Sequence, residues 1–218
     1  MGKGYVLVEG HGELGAVDNL LSRLSRDLDL PLSWAPASRW KNLHLQRGIE
    51  KGANYIRAKR DAQALLVLRD EDDACPRERG PLMAEWLLGL NLPFPAAVVL
   101  LKPEYEVLFL PCLDRMAGRL LGSGAAARPG LQEGTRWEGD WEGRRDVKGW
   151  LSAHFPPNRS YKPTLDQLLL TRLVDFGVLR QSGPACFGTL ERALAFLAQG
   201  TAGAVYPAPT RNTVAGFR

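Results

Sequence analysis

The sequence predicts an α/β protein: a parallel sheet of about four strands flanked by helices, followed by a mostly helical and loop-rich second part. Three observations predict it. The apolar runs Tyr5-Val6-Leu7-Val8, Ala64-Leu65-Leu66-Val67-Leu68 and Ala96-Ala97-Val98-Val99-Leu100-Leu101 have the length and continuity of strands buried on both faces. The stretches between them carry apolar residues at helical spacing. Strand alternating with helix selects a doubly wound layer.

In chain order, residues 4–9 form the first strand. Residues 14–28 follow as an amphipathic helix with Leu14, Val17, Leu20, Leu21, Leu24 and Leu28 on one face. Pro31 closes that helix region, and residues 32–37 are expected as a second strand. Residues 45–60 read as a helix with Gln46, Arg47, Glu50, Lys51, Arg57 and Lys59 mostly outward, 64–68 as a buried strand, 76–90 as a third helix and 96–101 as a fourth strand. Residues 105–121 are expected to be helical with a break near Pro111. The stretch 122–149, rich in Gly, Arg, Glu and Trp, reads as a long surface loop; Trp137, Trp141 and Trp150 either anchor it to the body, which is the expectation, or meet a partner. Helices are expected over 164–176 and 189–199, and the tail from Pro207 is expected to fray.

The net charge of +4 is unevenly spread: residues 1–110 carry fourteen Lys/Arg and fifteen Asp/Glu, residues 111–218 fourteen and nine. The basic excess therefore lies in the second half and the acidic clusters in the first, which suits a polyanionic ligand. Cys75, Cys112 and Cys186 are odd in number and have no zinc-like spacing, so a reduced, cytoplasmic protein without disulfides is expected. Neither a secretory leader nor an apolar run long enough for a membrane span is expected.

Two segments carry the chemistry. Tyr5-Val6-Leu7-Val8-Glu9-Gly10-His11-Gly12-Glu13 and Leu65-Leu66-Val67-Leu68-Arg69-Asp70-Glu71-Asp72-Asp73 each run from a buried strand into carboxylates. Were the two strands parallel neighbours, Glu9 would meet Asp70, and such a cluster repels itself unless a cation sits in it. Asp70 and Asp72 point the same way in an extended stretch, Glu71 points opposite, and Asp73 caps the next turn. A hard cation such as Mg²⁺ takes oxygen ligands of this kind. The bland alternative is an acidic strand-to-helix loop of solvated caps.

Gly10-His11-Gly12-Glu13-Leu14-Gly15 also satisfies the G-x-G-x-x-G spacing of a Rossmann-like dinucleotide site. Glu9 and Glu13 put two anions where the pyrophosphate would lie, and Ala35-Pro36-Ala37-Ser38-Arg39 supplies no acidic residue after the second strand. Nucleotide binding stays an alternative. His11 is a candidate base or phosphate contact, whereas His44, His154 and the cysteines have no visible catalytic partners.

Val8-Glu9-Gly10 with Glu13, then Asp70-Glu71-Asp72, resembles the Toprim domain of topoisomerases, DnaG-type primases and OLD-family nucleases. The likeness is strongest to stand-alone Toprim-like proteins of prokaryotic defence loci encoded beside ABC-type ATPases. It extends through Pro103-Glu104-Tyr105-Glu106, Asp146-Val147-Lys148-Gly149-Trp150-Leu151, Tyr161-Lys162-Pro163-Thr164 and Ala185-Cys186-Phe187-Gly188, to about Gln199. The resemblance implies a Toprim-like core over 1–110, an extension over 111–206 packed on it, and a flexible tail over 207–218. It implies Glu9, Asp70 and Asp72 as catalytic metal ligands, and Glu13 and Glu106 as ligands of a second ion. Lys148 or Lys162 would then be the charge at the phosphate, with Lys148 placed first. It further implies Mg²⁺ (or Mn²⁺), cleavage of nucleic acid with DNA ahead of RNA, an ABC-type ATPase partner, and an antiviral defence role. The alternative within the resemblance is a non-catalytic binding subunit of an ATPase or CRISPR-type complex.

Overall fold

A computed structural model describes residues 2–209 of the chain. It contains β1 (Lys3–Val8), α1 (Glu13–Asp27), β2 (Ser38–Arg39), α2 (Gln46–Arg57), β3 (Ala62–Asp70), α3 (Pro76–Leu88) and β4 (Ala96–Leu101). After two 3₁₀ turns come α4 (Leu113–Met116), β5 (Leu120–Leu121), β6 (Arg128–Pro129), α5 (Val147–Ala153), α6 (Leu168–Thr171), α7 (Phe176–Ser182), α8 (Ala185–Gln199) and β7 (Val205–Tyr206). The main sheet is a five-stranded parallel, Rossmann-like layer in the order β2-β1-β3-β4-β7. β5 and β6 make a separate antiparallel pair.

Strand alternation sorts the side chains with no exceptions along the central strands. Val6 and Val8, Leu66 and Leu68, and Ala97, Val99 and Leu101 join one core with α1, α8 and most of the second half of the chain. Leu7, Leu65 and Val67, and Ala96, Val98 and Leu100 join the other core with α2 and α3. The register Leu7↔Val67 keeps odd-numbered residues of β1 and β3 on the α2/α3 face and even-numbered residues on the α1/α8 face. That parity decides where each carboxylate at the strand ends points.

The second strand forms later and shorter than its expected 32–37. Pro36 brings no N–H to the ladder, and the Ala37 amide donates instead to Asp18 Oδ1 at 2.7 Å. Only an isolated bridge from Trp34 to Gly4 precedes β2. The fifth strand, β7, is two residues long and was outside the expected four. Residues 105–121, expected to be helical, break into 3₁₀ turns at Tyr105–Leu108 and Leu110–Cys112, then α4 and β5. The helix expected over 164–176 becomes a π-helical turn, Pro163–Gln167, followed by α6. It stops there because Arg23 takes the carbonyls of Thr171 and Val174 at 2.8 and 2.6 Å. Asp175 then restarts the chain as α7, its side chain accepting from the Val178 amide at 3.1 Å.

Trp137, Trp141 and Trp150 are half-buried against the larger core, with Trp137 edge-on to Trp150 at 5.2 Å, so the tryptophans pin the 122–149 loop to the body. All three cysteines are free thiols. No described helix is long and apolar enough to cross a membrane. Most of the tail expected to fray, 210–218, lies outside the described residues.

Candidate metal centre

The carboxyl ends of β1, β3 and β4 open into one crevice, the usual ligand position of an open parallel sheet. Asp70 ends β3 on the α1/α8 face. Its Oδ1 accepts the Tyr105 amide at 2.8 Å and its Oδ2 lies 3.3 Å from Lys148 Nζ. The loop after β4 contributes Glu104 and Glu106. Glu104 is extended (φ −153, ψ 167), which lets both side chains reach the crevice although the chain turns into a 3₁₀ helix at Tyr105. Glu104 Oε1 accepts the Lys148 amide at 2.8 Å and Oε2 meets Lys148 Nζ at 2.6 Å. Glu104 thereby ties the β4 loop to the first turn of α5.

Glu106 is the floor of the site. It is fully buried; Tyr161 donates its hydroxyl to Oε1 at 2.7 Å. Oε2 has Lys148 Nζ at 3.1 Å, but the approach is not that of a hydrogen bond and this oxygen has no hydrogen-bond partner among the described residues. Asp70 and Lys148, with 24% and 35% of their side-chain surface exposed, form the mouth. Glu13, buried at the start of α1, completes the acidic wall. Four carboxylates against one ammonium leave three formal negative charges uncompensated.

The protonation equilibria carry that imbalance. Burial pushes Glu13 up to about 7, with the charge of Asp70 adding to it. Burial likewise raises Asp70 to about 6 and Glu106 to about 7, each against the pull of Lys148. Burial works to lower Lys148, but Glu106, Asp70 and Glu104 outweigh it and hold the ammonium charged. Burial and the Glu106 charge raise Tyr161, so it stays a donor.

A carboxyl raised on folding contributes stability that is complete below its unfolded range and lost as the pH climbs through its folded value. Here that loss spans pH 5 to 8. The lowered carboxyls of Glu71 and Asp61 act in the opposite sense and only at more acid pH. The raised Lys148 is constant throughout the window. In EDTA, the melting temperature should therefore fall by about 4–8 °C between pH 5 and 8, the equivalent of roughly 2 kcal/mol for a chain of this length. A flat or rising melting temperature over that range would contradict the electrostatic account of the cluster.

The donor set suits a hard divalent cation. Ligand oxygens of Asp70, Glu104 and Glu106 lie within 4.8 Å of one another. Opposite ligands of Mg²⁺ stand about 4.2 Å apart at bonds of about 2.1 Å, so a small contraction accommodates it. The orphaned Glu106 Oε2 is the acceptor that such an ion would satisfy.

The structure places the expected site residues unequally. Asp70, Glu13, Glu106 and Lys148 come together. Glu9 does not join them: its odd number puts it on the α2/α3 face, where its carboxylate accepts the Leu43 amide at 2.8 Å and Arg69 Nε at 3.3 Å. Asp72 is exposed, past the end of β3, and Asp73 pairs at the surface with Arg145 at 2.6 Å. Glu71 turns to Arg69 at 2.5 Å and caps the Ala74 amide at 3.0 Å. Lys162 and His11 are exposed. Glu104, which the resemblance does not assign as a ligand, joins the set, and Tyr161 supports it through its hydrogen bond to Glu106. No local signal separates Glu104 from Glu106: Pro103 restricts the residue before it, Lys102, and tolerates a helix that starts after it, so it is the fold that shows Glu104 to be extended.

The phosphate cradle suggested by the glycines is filled by the chain itself. A Cβ on Gly12 would stand 2.4 Å from Gln167 Oε1 and 2.5 Å from Pro163 Cβ, so the π-helical turn occupies the space a dinucleotide would need. Comparisons with protein-family models, with curated proteins and with solved structures find no match for this chain.

Proposed function

We propose that the protein is a Toprim-like, divalent-cation-dependent nuclease that hydrolyses phosphodiesters of nucleic acid, DNA ahead of RNA. In this reading it works in the cytoplasm as the effector of an antiviral defence system beside an ABC-type ATPase. The observation that carries the catalytic part is the buried Asp70–Glu104–Glu106 set with its one unsatisfied oxygen. The nucleic-acid and defence parts are supported by the resemblance and by the basic excess of the second half.

Asp70, Glu104 and Glu106 would hold Mg²⁺ (or Mn²⁺). When bound, the ion supplies Lewis-acid charge stabilisation at a phosphoryl oxygen. The chain's own residues do the rest. The Tyr105 amide and the Tyr161 hydroxyl fix Asp70 and Glu106 in place, each leaving one oxygen toward the crevice. Glu13, raised to about 7, is poised at neutral pH to take a proton from an attacking water. Lys148, at the mouth, offers its ammonium to a phosphate oxygen once a cation takes its place among the carboxylates.

One observation favours a second reading. Lys148 Nζ sits within 3.3 Å of Asp70, Glu104 and Glu106, so it already serves as the cation of the cluster. A protein that keeps it there permanently would be a non-catalytic binding subunit. Lys148→Met separates the two. On the nuclease reading, calorimetry records Mn²⁺ or Mg²⁺ binding about tenfold tighter than in the wild type, because a like charge is gone, while plasmid cleavage is lost. On the binding-subunit reading, neither protein takes up the ion and the variant is merely less stable. No divalent-ion binding and no cleavage of plasmid or RNA, with or without the neighbouring ATPase, would sink the nuclease.

A further inference from the structure

A second polar cavity, of about 180 Å³, lies on the far side of the segment that carries Tyr161. Arg128, Asn158, Arg159, Ser160, Lys162 and Asp166 line it, with Leu165 as its apolar wall. Tyr161 points inward to Glu106. Its neighbours Ser160 and Lys162 are exposed and face the other way, so consecutive residues serve the carboxylate centre and the cavity wall in turn.

The cavity is cationic by construction. Asp166 is buried, and its Oδ1 lies 2.5 Å from Arg159 Nη2 and 3.4 Å from Arg128 Nη2, while Oδ2 accepts the Lys162 amide at 2.9 Å. Two guanidinium groups thus share one carboxylate, which the third cationic residue, Lys162, meets only through its backbone amide. Among the described residues, no carboxylate lies within ion-pair distance of the Lys162 ammonium. Arg128 Nη2 also donates to the Leu165 carbonyl at 2.6 Å, and the Arg159 guanidinium stacks on the Phe155 ring at 4.7 Å. Both guanidinium planes are therefore held in place, yet Arg128 Nε and Arg159 Nη1 are buried without an acceptor among the described residues. Buried guanidinium donors are rarely left unpaired, because the lost hydration is not recovered. An oxyanion in the cavity would meet the accessible parts of the two guanidinium groups, 34% of the Arg128 and 20% of the Arg159 side chain, together with the Ser160 hydroxyl and the Lys162 ammonium. The volume falls below the roughly 300–1,000 Å³ of clefts that enclose a whole small-molecule ligand, so the occupant is a single charged group.

We propose that this cavity is a phosphate-binding subsite, accepting one phosphate group through Arg128, Arg159, Ser160 and Lys162. That it grips the same substrate as the carboxylate centre rests on the function proposed above; phosphate binding itself does not. A phosphate held here while a neighbouring one enters the crevice would set the register of a strand, and a terminal phosphate would make the cut end-directed.

Calorimetric titration in EDTA tests it, with inorganic phosphate and with matched single-stranded oligonucleotides bearing a 5′-phosphate or a 5′-hydroxyl. Inorganic phosphate should bind, and Lys162→Ala and Lys162→Glu should weaken it by about tenfold or more, with Ser160→Ala weaker by a smaller factor. Both side chains are exposed and neither contacts Asp166, whose bond to residue 162 is to the backbone amide, so these variants keep the fold. A preference for the 5′-phosphorylated oligonucleotide assigns the site to a strand end, and equal binding of both, equally lost in Lys162→Glu, assigns it to an internal phosphodiester. The subsite is overturned if phosphate does not bind with or without Mg²⁺, or if the Lys162 variants bind it as the wild type does. It is also overturned if binding needs Mg²⁺ and disappears in Asp70→Asn, which would place the phosphate on the carboxylate centre instead. Phosphate binding in EDTA without any nuclease activity leaves the subsite standing and removes only the function proposed above.

Discussion

On the nuclease reading, Asp70→Asn should lower divalent-dependent cleavage by more than about 100-fold and remove the upward shift in melting temperature expected of the wild type with Mg²⁺ or Mn²⁺. The substitution is isosteric, and Asn keeps an oxygen for the Tyr105 amide. What it changes is the atom facing Lys148, which becomes an N–H₂ donor in place of a carboxylate oxygen 3.3 Å from Nζ. The fold should survive, because burial already disfavours the ionised form of this side chain. Glu9→Gln and Asp72→Asn are the informative controls. Glu9 faces Leu43 and Arg69 across the sheet, and Asp72 is exposed, so both variants should cleave within about threefold of the wild type. Equal loss in Glu9→Gln would restore the arrangement in which β1 and β3 share a metal through their terminal acids, and Asp70→Asn at wild-type rate would take Asp70 out of the centre.

Why Asp70 was legible and the failure of Glu9 was not comes down to register. Both residues follow apolar runs of strand length, and both were expected at the carboxyl end of neighbouring parallel strands, where they are. Whether they share a face depends on pairing parity, which is a relation between two strands and is written in neither. Leu7↔Val67 is an odd–odd register, so odd Glu9 and even Asp70 part company. The sheet itself was readable because its central strands are apolar on both faces. β7 was not, because two residues beside β4 carry too little pattern to register. The second half was the least readable: its turns are set by tertiary bonds, such as Arg23 on the Thr171 and Val174 carbonyls, over sequence separations near 150 residues. Glu104 illustrates the same limit locally. Its extended backbone, just ahead of the helix expected from residue 105, places it in the site, and that conformation is set by the fold.

Gly12→Ala should destabilise the protein by about 3 kcal/mol, lowering the melting temperature by roughly 6–12 °C. Gly12 has ordinary right-handed backbone angles (φ −65, ψ −30), so strain in the turn is not the cause. The cause is contact. The new methyl would lie 2.4 Å from Gln167 Oε1, which can swing away, but also 2.5 Å from Pro163 Cβ and 2.8 Å from the Pro163 carbonyl carbon, which cannot move without the π-helical turn. That turn is joined through Lys162 to Tyr161, the donor to Glu106, so displacement should also loosen the carboxylate floor. Divalent-ion binding should then weaken along with stability. Gly15→Ala is the matched control, because its methyl would meet only Leu168 Cδ2 at 3.5 Å, an ordinary contact, and Ala is the better helix former. A Gly12→Ala protein as stable as Gly15→Ala would mean that the second half of the chain does not sit in the glycine turn. If it does sit there, the G-x-G-x-x-G spacing in this chain is a packing signature: its middle glycine admits the segment that carries Tyr161 to the carboxylates, in the place where a dinucleotide fold would admit a pyrophosphate.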